Sequence, residues 1–352
     1  MLKRLMQVFG ILVVLAIGAA VVLPLLMIPA GTLAPTGSTR AAATPDSRFL
    51  TIPFPGTQGL EVHYLERPAA AGAGERSFLL LHGFTFNSFT WGAVLDPFAA
   101  LGRTVAYDQL PYGLSAKPLP GDWSAADPYA KESAIAQVGA VMQGLGLEQV
   151  ILVGNSSGGT LALEAALAYP QQVSGLILVA PWVHAQRPTI PAAVAQLPQL
   201  QRISLAIARK LGNPTLLEYS YQDPSRVTAA RRDQAIIHTR VANWDLAWGA
   251  LLDRSLSSAV DISDRLGQVR VPVLLITSDQ DKLVKPEDTR RVAAALPHAT
   301  LKVLPGCGHV PQEECPQAFM AAVSEWLQSP AGPGAPGAQA LGETAPPSNL
   351  GP

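Results

Sequence analysis

Ser156 lies in the pentapeptide Gly154-Asn155-Ser156-Ser157-Gly158, a G-x-S-x-G pattern that occurs once in the chain. The apolar run Val150–Val153 precedes it and an Ala- and Leu-rich stretch follows, which puts the serine on a strand-to-helix turn. Such a turn strains the backbone, and side chains at the flanking positions would clash, so small residues are required there. It also lifts the hydroxyl above the sheet, at the positive end of the next helix. A serine hydroxyl is a poor nucleophile near neutral pH and needs a base, which an acid must orient. Among the six histidines, His63, His82, His184, His238, His298 and His309, only His309 sits in a Gly-rich loop just past a late apolar run. It is the candidate base. The acid is expected in Thr277–Val284, after the preceding run, where Asp279 and Asp281 both stand. An oxyanion would need backbone N–H donors. Ser157 is the first candidate, and Phe84, in the loop His82-Gly83-Phe84-Thr85, is the second. His82 then shapes that loop and is neither acid nor base.

Three softer features accompany these residues. Cys307 and Cys315 bracket His309; they form either a disulfide or two small buried side chains. A zinc site on the two cysteines and His309 would consume the base, so no metal is expected. Trp244 and Trp248 have the i,i+4 spacing of a helix face, suited to core packing or to an acyl pocket. Arg231-Arg232-Asp233 is read as an ordinary solvated helix face rather than a docking spot.

The elements that must position these groups alternate. Strand-length apolar runs occur at residues 78–81, 105–107, 150–153, 176–179, 273–276 and 301–304, most without period-two alternation, as for parallel strands covered on both faces. Residues 50–54 and 61–65 alternate better and predict two leading antiparallel strands, with Pro53 suiting an edge. Helical patterns fall at 128–145, 157–169, 289–296 and 316–327. This order predicts an α/β fold with a mostly parallel eight-stranded sheet flanked by helices. From 183 to 271 no strand is legible, only helical patterns such as 197–211 and 227–252. An interruption of that length needs structure of its own and predicts a helical cap.

Hydrophobic residues make up 48% of the 352 and charged residues only 14%, with a formal net charge of −1. Without a basic field, nucleic acid is not an expected partner. Part of the apolar content is local. Between Arg4 and Arg40 there is no charge, and residues 9–30 form an apolar stretch about 33 Å long as a helix. It reads as a retained transmembrane anchor, with a cleaved signal segment as the alternative. Lys3 and Arg4 predict residues 1–8 on the cytoplasmic side and an exported body. Residues 31–48 read as an exposed linker, 49–182 with 272–328 as the core, 183–271 as the cap, and 329–352 as a disordered Pro/Gly/Ala-rich tail.

With the elbow, the His82-Gly83-Phe84 loop with Trp91, and Asp108-Gln109-Leu110-Pro111-Tyr112-Gly113-Leu114-Ser115 in view, residues 48–328 resemble the α/β-hydrolase superfamily. The resemblance is to its capped serine-hydrolase branch of lipases, esterases, meta-cleavage-product hydrolases and haloperoxidase-like enzymes. It implies that Asp281, the second carboxylate of Asp279-x-Asp281-x-x-Val284, is the acid, with Asp279 as fallback. It also implies no cofactor. Pro111 departs from a Gly of the pattern, Asn155 stands where His is frequent in the elbow, and Ser278 where Gly is usual. The serine elbow does not fit Asp-nucleophile dehalogenases or epoxide hydrolases, and it differs from the G-G-S-W-G usual in proline iminopeptidases. The function implied is hydrolysis of an ester or related acyl substrate, a small molecule or a lipid, through an acyl-enzyme on Ser156. The alternatives are a C–C hydrolase, a haloperoxidase-like enzyme or a catalytically silent binding scaffold.

Overall fold

The apolar runs become strands β1 (Arg48–Ile52), β2 (Leu60–Arg67), β3 (Ser77–Leu81), β4 (Arg103–Tyr107), β5 (Val150–Asn155), β6 (Val173–Val179), β7 (Val273–Ser278) and β8 (Ala299–Leu304). They form one sheet in the order β1-β2-β4-β3-β5-β6-β7-β8. β1 pairs antiparallel with β2 and β2 with β4, and every other pairing is parallel. The computed structural model describes residues 2–34, 36–184 and 189–333; the tail expectation for 334–352 lies outside the described residues.

β3 and β5 occupy the centre and are buried at every residue, which is why their sequences are unbroken apolar runs. Their alternate side chains feed two separate cores. Leu79, Leu81 and Leu152 enter one, with Leu163 of the helix Ser157–Ala168. Phe78, Leu80, Ile151 and Val153 enter the other, with Phe319 and Trp326 of the helix Pro316–Gln328. Pro53 falls one residue past β1, an edge strand, so its missing N–H costs no ladder bond.

Between β6 and β7 the described residues contain only helices, the longest being Pro198–Leu211 and Trp244–Ser257. The single helical pattern expected over 227–252 is divided. Ala229–Ala235 and a 3-10 turn at Ile237–Arg240 precede Asn243, whose φ of 63° places it in the left-handed region at the start of the next helix. Asparagine enters that region more easily than most residues, which permits the break.

Three expectations are corrected. The described residues of 31–48 are not a free tether. Asp245 is fully buried and needs hydrogen-bond donors; it takes them from Thr32 Oγ1 (2.6 Å), the Leu33 N–H (3.0 Å) and Arg209 Nε (2.9 Å). The segment is held further by Asn243 N–H to the Ala34 carbonyl and Ala242 N–H to the Gly37 carbonyl. Gly332 and Pro333 are buried rather than tail-like, the latter against Gly175 and its neighbour Trp326. Arg231 is not on a solvated face, because its guanidinium is buried in a two-pronged pair with Glu313. At the N-terminus a helix runs over Leu2–Met27, and its Arg4–Met27 stretch is long and apolar enough to cross a membrane, with a mean hydropathy of 2.8.

Candidate active site

Ser156 stands between β5 and the helix Ser157–Ala168 with φ 56° and ψ −121°, a conformation that a side-chain-bearing residue adopts only at a cost. The small flanks have a measurable reason. A Cβ on Gly154 would lie 2.4 Å from the Gly158 carbonyl oxygen, and one on Gly158 would lie 2.3 Å from that of Leu81. Any larger residue at either position would push the turn off the sheet. Ser156 is nearly buried, at 6% exposed.

The two loops expected to supply base and acid meet. His309 Nδ1 and Asp281 Oδ2 are 2.8 Å apart, with both side chains buried. The other carboxylate oxygen of Asp281 accepts the Leu283 and Val284 N–H groups at 2.8 and 2.9 Å, which fixes its orientation. Asp279 does a different job: Oδ1 accepts the Gly306 N–H at 2.7 Å and closes the histidine loop from outside. Of the two carboxylates left open by the spacing, Asp281 is the one facing the imidazole.

Asn155 ties this pair to the elbow. Its amide donates to the His309 carbonyl (3.1 Å) and to the Val179 carbonyl (3.2 Å). The His309 loop therefore hangs from the residue before Ser156, a role that no local pattern reveals. The loop after β3 closes in from the other side: a Cβ on Gly83 would be 3.2 Å from Ser156 Cβ. Thr85 in the same loop has φ 64°, a strained value for a β-branched residue. His82 holds this loop in shape. Its Nδ1–H donates to the Gly83 carbonyl, its Nε2 accepts the Gln109 N–H, and burial lowers its pKa, consistent with a neutral ring. Ser157 occupies the first turn of its helix, where an N–H has no intrahelical acceptor.

Two residues not singled out in the sequence organise the candidate base from behind. Glu314 accepts the N–H groups of Gly308, Gln222 and Asp223, joining the histidine loop to the cap. Glu313 receives Arg231, the Tyr221 hydroxyl (2.8 Å) and the Thr90 hydroxyl. Burial, then the Glu313 charge, raises the Tyr221 pKa and keeps its hydroxyl a donor. The His309 N–H donates to the Ser220 carbonyl of the cap at 2.7 Å. Cys307 and Cys315 are bridged, closing the segment that carries His309, Glu313 and Glu314. Their only sequence signal was the cysteine bracket itself.

On the cap side, Trp244 and Trp248 pack with Ala208 and Tyr112, and Phe84 and Ala34 lie against the same cluster. His238 stacks on Trp248 with ring centroids 4.3 Å apart, and burial followed by the nearby Lys117 lowers its pKa to about 3. Lys117 is itself buried, donates to the Gly113 carbonyl at 3.0 Å, and has its pKa lowered by burial to about 7.

An elbow serine on a mostly parallel eight-stranded sheet, with a His–Asp pair on the loops after β8 and β7, defines a hydrolase of the α/β-hydrolase superfamily. Within it, the chain belongs to the family described as serine aminopeptidase, S33, which matches residues 73–316. It is 27% identical to a 2-hydroxy-6-oxononadienedioate/2-hydroxy-6-oxononatrienedioate hydrolase of Pseudomonas putida, over 80% of this chain and 96% of that one. It is 28% identical to the proline iminopeptidase of Lactobacillus delbrueckii subsp. bulgaricus, over 71% and 89%, despite the different elbow expected of such peptidases. Among solved structures, one titled a membrane phospholipase A superposes with a TM-score of 0.60 at 19% identity, covering 93% of this chain and 100% of that one.

Proposed function

We propose that this protein hydrolyses a carboxylic ester through an acyl-enzyme on Ser156. The observation that carries the reading is the strained elbow serine joined, through Asn155, to the buried His309–Asp281 pair. In this mechanism Asp281 accepts Nδ1–H of His309 and holds the ring so that Nε2 is the basic nitrogen. Nε2 takes the Ser156 hydroxyl proton as the oxygen attacks the ester carbonyl carbon. The N–H groups of Ser157 and Phe84 stabilise the resulting oxyanion. His309 returns the proton to the departing alkoxide, releasing an alcohol. Water, deprotonated by the same nitrogen, then cleaves the acyl-enzyme to a carboxylic acid and regenerates Ser156.

The Leu2–Met27 helix acts as a retained anchor in this reading, with residues 1–8 cytoplasmic and the core and cap exported. The Cys307–Cys315 bridge supports export, because disulfides persist in oxidising compartments. The likeness to the structure titled a membrane phospholipase A, over 93% of this chain, and the apolar cluster against Phe84 favour a lipid-like acyl group. The similarity to the Pseudomonas putida enzyme favours one second reading, C–C bond hydrolysis at the same serine. A fluorophosphonate probe tests the common step: the full chain in detergent takes the label and Ser156→Ala does not. A folded wild-type protein that stays unlabelled refutes the serine-hydrolase mechanism. An acyl-chain-length series run against a vinylogous diketone then separates the ester from the C–C reading.

A further inference from the structure

The exit of the N-terminal helix is clamped to one cap helix. Arg202 donates to the Ile28 carbonyl at 3.1 Å, and Arg209 donates to the carbonyls of Pro29 (3.0 Å) and Gly31 (2.5 Å). Both arginines belong to the helix Pro198–Leu211, which also packs against the N-terminal helix itself. If the N-terminal helix crosses a bilayer, these bonds hold the cap helix at the depth where the chain leaves the lipid.

The face of the cap helix beside the clamp is apolar and uncovered. Ile203 and Ile207, one turn apart, are 39% and 46% exposed, and Val194 and Leu197 on the approach are 41% and 47% exposed. Leu33, just past the anchor exit, is also exposed, and Lys210 is exposed at the end of the helix. The opposite face buries Ser204, Leu205 and Ala208 against the rest of the cap. Ala208 and Leu211 reach the aromatic cluster of Trp244, Trp248 and Tyr112, and Phe84 of the loop beside Ser156 touches its far end. An apolar column thus runs from the helix next to the anchor to the candidate oxyanion loop.

We propose that the face formed by Val194, Leu197, Ile203 and Ile207 lies in the headgroup and upper acyl region of the bilayer that holds the anchor, so that a lipid ester enters the site from the membrane. This rests on the anchor reading given above. A helix of this kind, apolar on one side with a basic residue at its margin, gains free energy by lying in an interface rather than in water. The anchor fixes which surface is lipid, and the arginine clamp fixes which helix meets it.

The test uses the full chain in vesicles of phosphatidylcholine and phosphatidylglycerol. The native cysteines are bridged, so Ile203→Cys, Leu12→Cys and Glu148→Cys each offer a single thiol for an environment-sensitive fluorophore. Nitroxide-bearing lipids are the quencher. Position 12 reports the anchor, 203 the cap face, and 148 the opposite end of the sheet. The expected result is quenching at 12 and 203, at least about threefold stronger than at 148. Quenching at 12 with 203 no different from 148 overturns the docking face and leaves the anchor standing. No quenching at 12 overturns the anchor reading and the docking face with it. Energy transfer between labelled copies at 203 without lipid quenching means that a second copy covers the face, and also overturns the proposal. As a functional arm, the double substitution Ile203→Glu, Ile207→Glu should lower hydrolysis of vesicle lipid about tenfold while leaving a short soluble ester within about twofold. Equal losses on both substrates count against delivery from the membrane.

Discussion

The two carboxylates of the acid loop separate cleanly at the level of single residues. Asp281 faces His309 and takes two backbone N–H groups; Asp279 takes one from Gly306. Asp281→Asn should therefore lower kcat by about a thousandfold or more, since the amide no longer favours the basic Nε2 tautomer. Asp279→Asn should change kcat by less than about tenfold, because it weakens only a loop contact. Steady-state kinetics on one ester measures both, and a reversed order would transfer the acid role to Asp279. His238 gives a prediction about pH. Its pKa is lowered by burial to about 3, so the unfolded chain binds a proton near pH 6.5 that the folded chain excludes. The contribution is constant above the unfolded value and is lost as pH falls through the window from about 6.5 toward 3. Between pH 7 and pH 5 this residue alone should cost about 2 kcal/mol. Thermal unfolding at the two pH values should show the fall, and His238→Gln should flatten it.

Among the elements, the segment from β8 into the last helix carries unusual responsibility. His309, Glu313 and Glu314 lie between two bridged cysteines, and both glutamates reach across to the cap. Ser156 follows directly on a central strand, but the candidate base is held by a loop whose partners are in the insertion. Opening the bridge with Cys307→Ser and Cys315→Ser should destabilise the fold by about 2–3 kcal/mol from loop entropy alone. Chemical or thermal unfolding measures that figure. Glu313→Gln tests the cap contact. It leaves Arg231 buried without its carboxylate and should destabilise by about 3 kcal/mol, with Arg231→Met partly restoring stability in the double variant. A double variant no more stable than Glu313→Gln would mean that the pair is not the source of the loss.

At the scale of the whole molecule, the N-terminal helix and the cap are one arrangement. The segment after the helix is bound through Asp245, Arg202 and Arg209, so the body does not swing on a free tether. The anchor reading predicts that protein recovered from membranes has an intact mass including residues 1–30, and that alkaline carbonate does not extract it. A mass beginning past Ala43 would identify a cleaved signal instead. Asp245→Asn should loosen the docked segment, read as faster proteolysis within residues 31–48, with little change in hydrolysis of a soluble ester.

The linear pattern determined the sheet and the elbow because their constraints are local. Unbroken apolar runs are what doubly covered parallel strands require, and Gly154 and Gly158 are small because neighbouring backbone leaves no room. His309 was picked out as the candidate base from its loop, and Asp281 as the candidate acid from a family likeness, although spacing alone left Asp279 equally open. Tertiary structure decided what depends on distant partners. It chose between the carboxylates, gave Asn155 its bond to the histidine loop, and bridged the cysteines. It buried Arg231 on Glu313, which no helical period in a charged run could reveal. It also turned a Pro/Gly/Thr-rich stretch, flexible by composition, into an ordered strap, because a buried aspartate more than two hundred residues away needed its hydrogen-bond donors.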